Sequence, residues 1–180
     1  MNNVTLSIGG NLGNRMENIR RVIGYIEERI GAIKQRSSVY ESEPWGFEAE
    51  HCFLNAVVVV ETTLSPESVL QEAHAIENIM GRIRNGNGYT SRTMDIDILF
   101  FNDDVINTPT LTVPHPRLHE RHFVLLPLAE VMPEKVHPVL RKKTGEILAR
   151  CRDEGNCCFF LKNTLWIKKK FVSLHTNKND

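Results

Sequence analysis

Net charge is the first thing missing: twenty-two Lys and Arg balance twenty-two Asp and Glu over 180 residues. A neutral chain lacks the broad positive field that holds nucleic acid by bulk electrostatics, although a local basic patch is compatible with neutrality. Long apolar runs are missing too. The longest, Phe123–Ala129, is broken by Pro127 and falls far short of the roughly 18 residues of a membrane span. The opening Met-Asn-Asn-Val-Thr has no basic stretch leading into an apolar one, so no secretory signal is expected. Cysteine is sparse: Cys52, Cys151, Cys157 and Cys158 show no Cys-x-x-Cys spacing, and reduced thiols in a cytoplasmic protein are expected.

Several chemical signatures are absent as well. No Gly-Lys dipeptide occurs, which excludes a Walker A loop. Gly86-Asn-Gly88 is followed by Ser91 where a dinucleotide fingerprint needs its last glycine, and no strand precedes it. His119-Glu-Arg-His122 is too short for a His-Glu-x-x-His zinc site, and Cys157-Cys158 with the distant His175 lacks ligand spacing. There is no internal repeat. What remains, 41% hydrophobic, is enough for one core, expected over residues 1–161, followed by a basic-apolar tail over 162–180.

The apolar periodicity then sets out the elements. Val4–Ile8 reads as a strand ending in Gly9-Gly10-Asn11. Met16, Ile19, Val22, Ile23, Ile26 and Ile30 form one helical stripe, with Gly31 suited to the C′ position. Ile33–Tyr40 reads as a second strand, and the β-branched 53–61 as a central one. Ser65-Pro66 opens a helix running to Met80 with Val69, Leu70, Ala73 and Ile76 inward, and Thr93–Phe101 is a further strand. This order predicts an α+β fold: a ferredoxin-like βαββαβ antiparallel sheet with both helices on one face. Short strands near 105–106 and 111–113 follow, and then extra C-terminal helices over 117–131 and 144–151, the latter with Thr144 as N-cap.

Chemistry concentrates between Gly81 and Leu99. Residues two apart on a strand share a face, so Asp95 and Asp97 lie side by side while Met94, Ile96 and Ile98 turn to the core. Paired carboxylates repel and need compensation by protons, by arginines or by a divalent cation. Mg²⁺ suits a small set of hard oxygens completed by substrate phosphates. Arg82, Arg84 and Arg92 flank the pair, and forked guanidiniums match phosphate oxygens. Carboxylates for metal and arginines for phosphate point to phosphoryl transfer. An ordinary polar strand face with structural ion pairs fits the same spacing. His115 sits between Pro114 and Pro116, a stiff bend that aims an imidazole, as a packed histidine also would.

Taken together, Arg82-x-Arg84, Arg92-Thr-x-Asp95-Ile-Asp97-Ile-Leu, and Leu111-Thr-Val-Pro-His115-Pro with Arg121-x-Phe123-Val-Leu-x-Pro-Leu resemble the 6-hydroxymethyl-7,8-dihydropterin pyrophosphokinase family of folate biosynthesis. Leu-Ser-Ile-Gly-Gly-Asn near the start, Tyr40-Glu-Ser-Glu-Pro-Trp-Gly and Phe53-Leu-Asn55 match as well. The resemblance implies the ferredoxin-like fold and transfer of the β,γ-pyrophosphoryl group of ATP to the pterin's hydroxymethyl oxygen, releasing AMP. It implies two Mg²⁺ ions held by Asp95 and Asp97. Arg82 and Arg92 would close over the phosphates, Arg84 and Arg121 would bind phosphate or steady the nucleotide, and His115 would donate to phosphate near the scissile bond. His74, Glu77, Ile98 and Thr112 would line the ATP site. Phe53 and Phe123 would sandwich the pterin, and Asn55 would bond its edge. The turn containing Ser42, Pro44, Trp45 and Gly46 would offer backbone partners, and Tyr89 would stand in the sealing loop.

Some positions depart from the family pattern. Tyr89 stands where Trp is frequent, Pro116 where Tyr is frequent, Thr110 where some members carry a basic residue, and His74 where Gln is common. These imply weaker stacking and less positive charge toward ATP. The expected partners are small molecules, without nucleic acid or membrane, in a monomer or weak homodimer. Two other classes share parts of the pattern. An RNA-binding module uses the same fold, but the neutral chain lacks an aromatic-rich RNA-binding strand, and its aspartates would repel phosphates. A metal-dependent nuclease would use the same carboxylates.

Overall fold

The structure, a computed structural model, describes residues 1–81, 90–153 and 155–162. Its centre is an antiparallel sheet built from β1 (Asn2–Gly10), β4 (Phe53–Thr62) and β5 (Asp95–Phe101), with β4 flanked on its other side by β2 (Ala32–Arg36) and β3 (Val39–Ser42). The strand order β5-β1-β4-β3, with β2 also on β4, is that of the expected ferredoxin-like sheet. Helix α1 (Arg15–Arg29) joins β1 to β2, and α2 (Pro66–Ile79) joins β4 to β5.

Both helices form for the reasons written in their sequences. Asn14 caps α1 by accepting the Glu17 N–H, and Ser65 caps α2 by accepting the Ser68 N–H, with Pro66 in the first turn. The stripe Ile19, Val22, Ile23 and Ile26 is buried against Val4, Leu6 and Ile8 of β1 and Leu54, Ala56, Val58 and Val60 of β4. Each such side chain contributes about 1.5–3 kcal/mol by leaving water. Leu70 is only partly buried, at the rim of this core.

The segment expected as one strand over 33–40 is two. Ser37 and Ser38 interrupt it because side chains take over the ladder bonds there. The Ser37 hydroxyl accepts the Val57 N–H at 2.9 Å and donates to the Ser38 carbonyl at 2.7 Å. The Ser38 N–H and hydroxyl both donate to the Glu130 carboxylate at 2.8 Å. Such local side-chain bonding competes with a regular sheet.

The opposite face of the sheet is divided. At one end, Val57, Leu99 and Phe100 pack under a 3₁₀ turn (Leu118–Glu120), helix α3 (His122–Val131) and helix α4 (Thr144–Ala149). A register shift in the β1–β5 ladder, at Leu99, turns both Leu99 and Phe100 toward this second core. At the other end, the same face is left open. Small strands β6 (Ile106–Asn107) and β7 (Thr112–Val113) pair beside β5.

Two C-terminal expectations are corrected. The α4 cap is Lys143, whose N–H donates to Glu146 Oε2 at 3.0 Å, while the Thr144 hydroxyl turns to the Lys135 carbonyl. The chain also ends its described part not only in helices but in a strand, β8 (Cys157–Leu161), which extends the sheet beyond β3. Residues 163–180 of the tail lie outside the described residues. No helix among the described residues is long and apolar enough to cross a membrane.

Candidate active site

The open end of the sheet is the floor of a cleft of about 470 Å³. Ser7 and Gly9 of β1, Asn55 of β4, and Asp95 and Asp97 of β5 point into it, all on the face away from α1 and α2. The floor requires glycine. A Cβ at Gly9 would lie 2.7 Å from Asn55 Oδ1, and one at Gly10 would lie 2.2 Å from the Thr93 carbonyl oxygen. A side chain at either place would push the end of β1 away from the Asn55 amide or from the segment entering β5.

The charged side of the cleft is organised around the two aspartates. The Arg92 guanidinium lies 3.2 Å from Asp95 and the Arg121 guanidinium 4.0 Å from Asp97. Asp97 is 36% exposed at the cleft floor, yet protein closes round it on the other sides. Burial and then the neighbouring Asp95 charge raise its carboxyl to about 7, despite the opposing pull of Arg121 and Arg92. The arginines therefore compensate the pair only in part. Among the described residues no group of three or more acidic, His or Cys side chains is placed so that it could hold a metal ion by itself. Two adjacent hard carboxylates, one of them raised by burial and by the other, fit a hard divalent ion that takes its remaining oxygens from water and substrate, and do not fit a closed structural metal site.

His115 follows a cis Val113–Pro114 bond and has its own N–H tied to the Leu99 carbonyl at 3.0 Å. Its Nδ1 accepts the Arg117 N–H at 3.1 Å. Burial, with Arg121 nearby, lowers the imidazole to about 4, so the ring is neutral at physiological pH and carries its proton on Nε2. It is thus a donor, not a cation.

Aromatic and amide groups form the other side. Phe53 and Phe123 line the cleft with Phe47, whose ring meets Phe53 edge-on at 6.0 Å. The Asn55 amide donates to the Ser42 hydroxyl at 2.8 Å, an anchor that fixes which way the amide faces. Trp45 and Glu43 lean in from the turn after β3; Pro44 and Gly46 belong to the same turn without lining the cleft. At the start of α3 the Asp153 carboxylate accepts the His122 N–H at 2.9 Å, holding the stretch that carries Arg121 and Phe123.

Four residues expected at the nucleotide are not among those that line this cleft. Glu77 is 1% exposed behind the sheet and accepts the Ile96 N–H at 2.9 Å, so its carboxylate is a support for β5. The Ile98 side chain is in the helix-side core, leaving its backbone on an edge strand. His74 is half-buried on α2, and Thr112 is exposed on β7 beside β5. Arg82, Arg84 and Tyr89 lie outside the described residues.

Sequence reasoning missed Asn11, Phe47 and Arg117, and included Glu43 only as part of its turn. Asn11 is 1% exposed; its side chain accepts the Arg92 N–H at 2.9 Å and donates to the Ser91 hydroxyl and the His51 carbonyl. The one available signal was a short amide after two glycines at a strand end, where a local hydrogen-bonding hub fits.

Comparison with known proteins finds relatives of this chain. A family model described as 7,8-dihydro-6-hydroxymethylpterin-pyrophosphokinase (HPPK) matches residues 5–133. The chain is 41% identical over 138 residues to 2-amino-4-hydroxy-6-hydroxymethyldihydropteridine pyrophosphokinase of Porphyromonas gingivalis, covering 75% of this chain and 93% of that protein. Against the Aquifex aeolicus protein of the same name, identity is 39% over 158 residues, covering 88% and 98%. Among solved structures, Plasmodium falciparum HPPK-DHPS superposes with a TM-score of 0.69 at 19% identity over 83% of this chain, a likeness of fold. The chain spans 44% of the length of that solved chain.

Proposed function

The chain belongs to the 7,8-dihydro-6-hydroxymethylpterin-pyrophosphokinase family, a pyrophosphokinase of folate biosynthesis, and from that premise we propose that its cleft transfers the β,γ-pyrophosphoryl group of ATP to 6-hydroxymethyl-7,8-dihydropterin. One observation carries the reading: Asp95 and Asp97 lie together on the cleft floor, with guanidiniums and a neutral imidazole around them and aromatic rings along the same cleft.

The pterin ring lies against Phe53 and Phe123. Stacking adds about 0.5–1.5 kcal/mol per ring beyond burial. Asn55, held by Ser42, bonds the heterocycle's edge, and the backbone of the turn through Pro44, Trp45 and Gly46 supplies further partners. The acceptor hydroxyl is thereby aimed at the phosphate end. Asp95 and Asp97 would hold two Mg²⁺ ions, which when bound neutralise the triphosphate and acidify the acceptor hydroxyl. Arg92 and Arg121 bind phosphate oxygens, and His115 donates through Nε2 to an oxygen near the bond that breaks. By the family resemblance, Arg82 and Arg84 would join them and Tyr89 would help to seal the site. The backbone at Ile98, with Thr112, His74 and the α2 end near Glu77, lies toward the adenosine.

The acceptor oxygen forms a bond to β-phosphorus, and the bridging oxygen between α- and β-phosphorus leaves with AMP. The hydroxyl proton passes to Asp97. No protein nucleophile is required, so positioning and charge compensation supply the rate. Chromatography of the protein with ATP, Mg²⁺ and hydroxymethyl-dihydropterin tests this: AMP and pterin pyrophosphate rise one for one. Formation of ADP instead would contradict the assignment. The protein acts on these small molecules alone, as a monomer or weak homodimer over residues 1–161.

A further inference from the structure

The Trp45 indole lies against two guanidiniums: Arg121 Cζ is 5.0 Å from the ring centroid and Arg117 Cζ 5.9 Å. Trp45 belongs to the turn after β3, whereas the two arginines flank the 3₁₀ turn before α3, so this contact joins the ring-binding turn to the phosphate end across the mouth of the cleft. We propose that Trp45 is an affinity-setting latch: its indole occupies the Arg117 and Arg121 guanidiniums until a polyphosphate takes them over. The inference rests on the reading of this cleft as a polyphosphate site, and it adds Arg117 to that site.

The physical basis is competition for the same cations. Arg121 is 8% exposed, and its guanidinium is already committed on its other flanks, 4.0 Å from Asp97 and 5.9 Å from the Phe123 centroid. The latch requires that this enclosed guanidinium shift to meet an anion, so that contact with the indole and contact with phosphate are alternatives. Charge-assisted hydrogen bonds to phosphate oxygens are stronger and more directional than attraction to a ring face. Arrival of the polyphosphate therefore draws Arg121 and Arg117 off the indole and loosens the turn that carries Trp45. By reciprocity, the indole must weaken polyphosphate binding to the same degree.

The sign of that effect separates a latch from a merely structural tryptophan, whose loss would weaken binding. Calorimetry with Mg²⁺-tripolyphosphate on the full chain should show Trp45→Leu binding about five- to thirtyfold more tightly than the parent, the scale of two ring–cation contacts. Trp45→Phe, which keeps a weaker ring face in place, should fall between them and serves where the leucine variant does not fold. The chain has two tryptophans, so Trp166→Phe leaves Trp45 as the sole emitter. Its emission should shift on titration with Mg²⁺-tripolyphosphate, with the calorimetric midpoint, and stay unmoved by adenosine. Binding with a silent indole, or weaker binding by both variants, would overturn the latch alone. Failure of the parent to bind tripolyphosphate at all would overturn the polyphosphate site and the latch with it.

Discussion

Asn11 and Arg92 are joined by reciprocal hydrogen bonds: the Asn11 N–H donates to the Arg92 carbonyl at 3.0 Å, and the Arg92 N–H donates to the Asn11 side-chain oxygen at 2.9 Å. This pair fixes the backbone from which the Arg92 side chain reaches Asp95 on one flank and the face of Phe53, 5.5 Å from its centroid, on the other. Asn11→Ala leaves the part-buried Arg92 N–H without its acceptor, so stability should fall by about 1 kcal/mol in urea unfolding. Turnover should fall too, with Arg92 no longer held. Arg92→Ala should lower turnover by about 10²–10³, the scale of one preorganised charge donor, with stability little changed. An Asn11→Ala variant with parental turnover would show that Arg92 does not depend on this anchor.

The Asp97 carboxyl gives the metal-free protein a definite pH dependence. Its ordinary value is 3.8, and in the folded chain it is raised to about 7. Between those values the folded state keeps a proton that the unfolded state has lost. Stability is therefore fully present at acid pH, falls as pH rises from about 4 to about 7, and levels off above. Asp97→Asn removes this contribution. With chelator present, the variant should unfold at higher urea than the parent near pH 8, and the gap should narrow toward pH 4. A parent that is the more stable protein near pH 8 would contradict the assignment.

Asn55 should act on one substrate. Its amide is oriented by Ser42 and faces the aromatic side of the cleft. Asn55→Ala should raise the pterin dissociation constant about tenfold or more, the cost of losing a paired polar contact in a buried site, while ATP affinity holds. Equilibrium titration of each ligand separately decides it; equal weakening of both would misplace the pterin pocket.

Glu77 should act through the fold. Its buried carboxylate accepts the Ile96 N–H, next to both aspartates in sequence. Glu77→Ala should cost about 1–3 kcal/mol of stability by leaving that N–H unsatisfied. Any loss of turnover should follow the loss of folded protein in thermal melts. A fully stable variant with weakened ATP binding would return Glu77 to direct nucleotide contact.

The legible parts of this molecule are those written in short-range periodicity. The period-two spacing of Asp95 and Asp97 against Ile96 and Ile98 was sufficient to place acids on one face and apolar chains on the other. The α1 stripe and the Ser65–Pro66 start of α2 were equally local. What escaped depends on distant partners. The Ser37–Ser38 break needs Glu130, some ninety residues away, to receive the Ser38 bonds. The Cys157–Leu161 strand has no polar-apolar alternation to announce it and is defined by the open edge of β3. The hydrogen bond from the Ile96 N–H to Glu77 joins a helix to a strand nineteen residues away, and no local pattern announces it. The contact of Trp45 with Arg121 joins two loops that no local pattern connects.

Anomalous diffraction from crystals grown with Mn²⁺ and an ATP analogue whose α,β bridge cannot be cleaved tests the central claim most directly. Two peaks within bonding distance of Asp95 and Asp97 oxygens, each also bound to phosphate oxygens, are predicted. Nucleotide in the cleft with both carboxylates paired only to Arg92 and Arg121, and no peak between them, would contradict it.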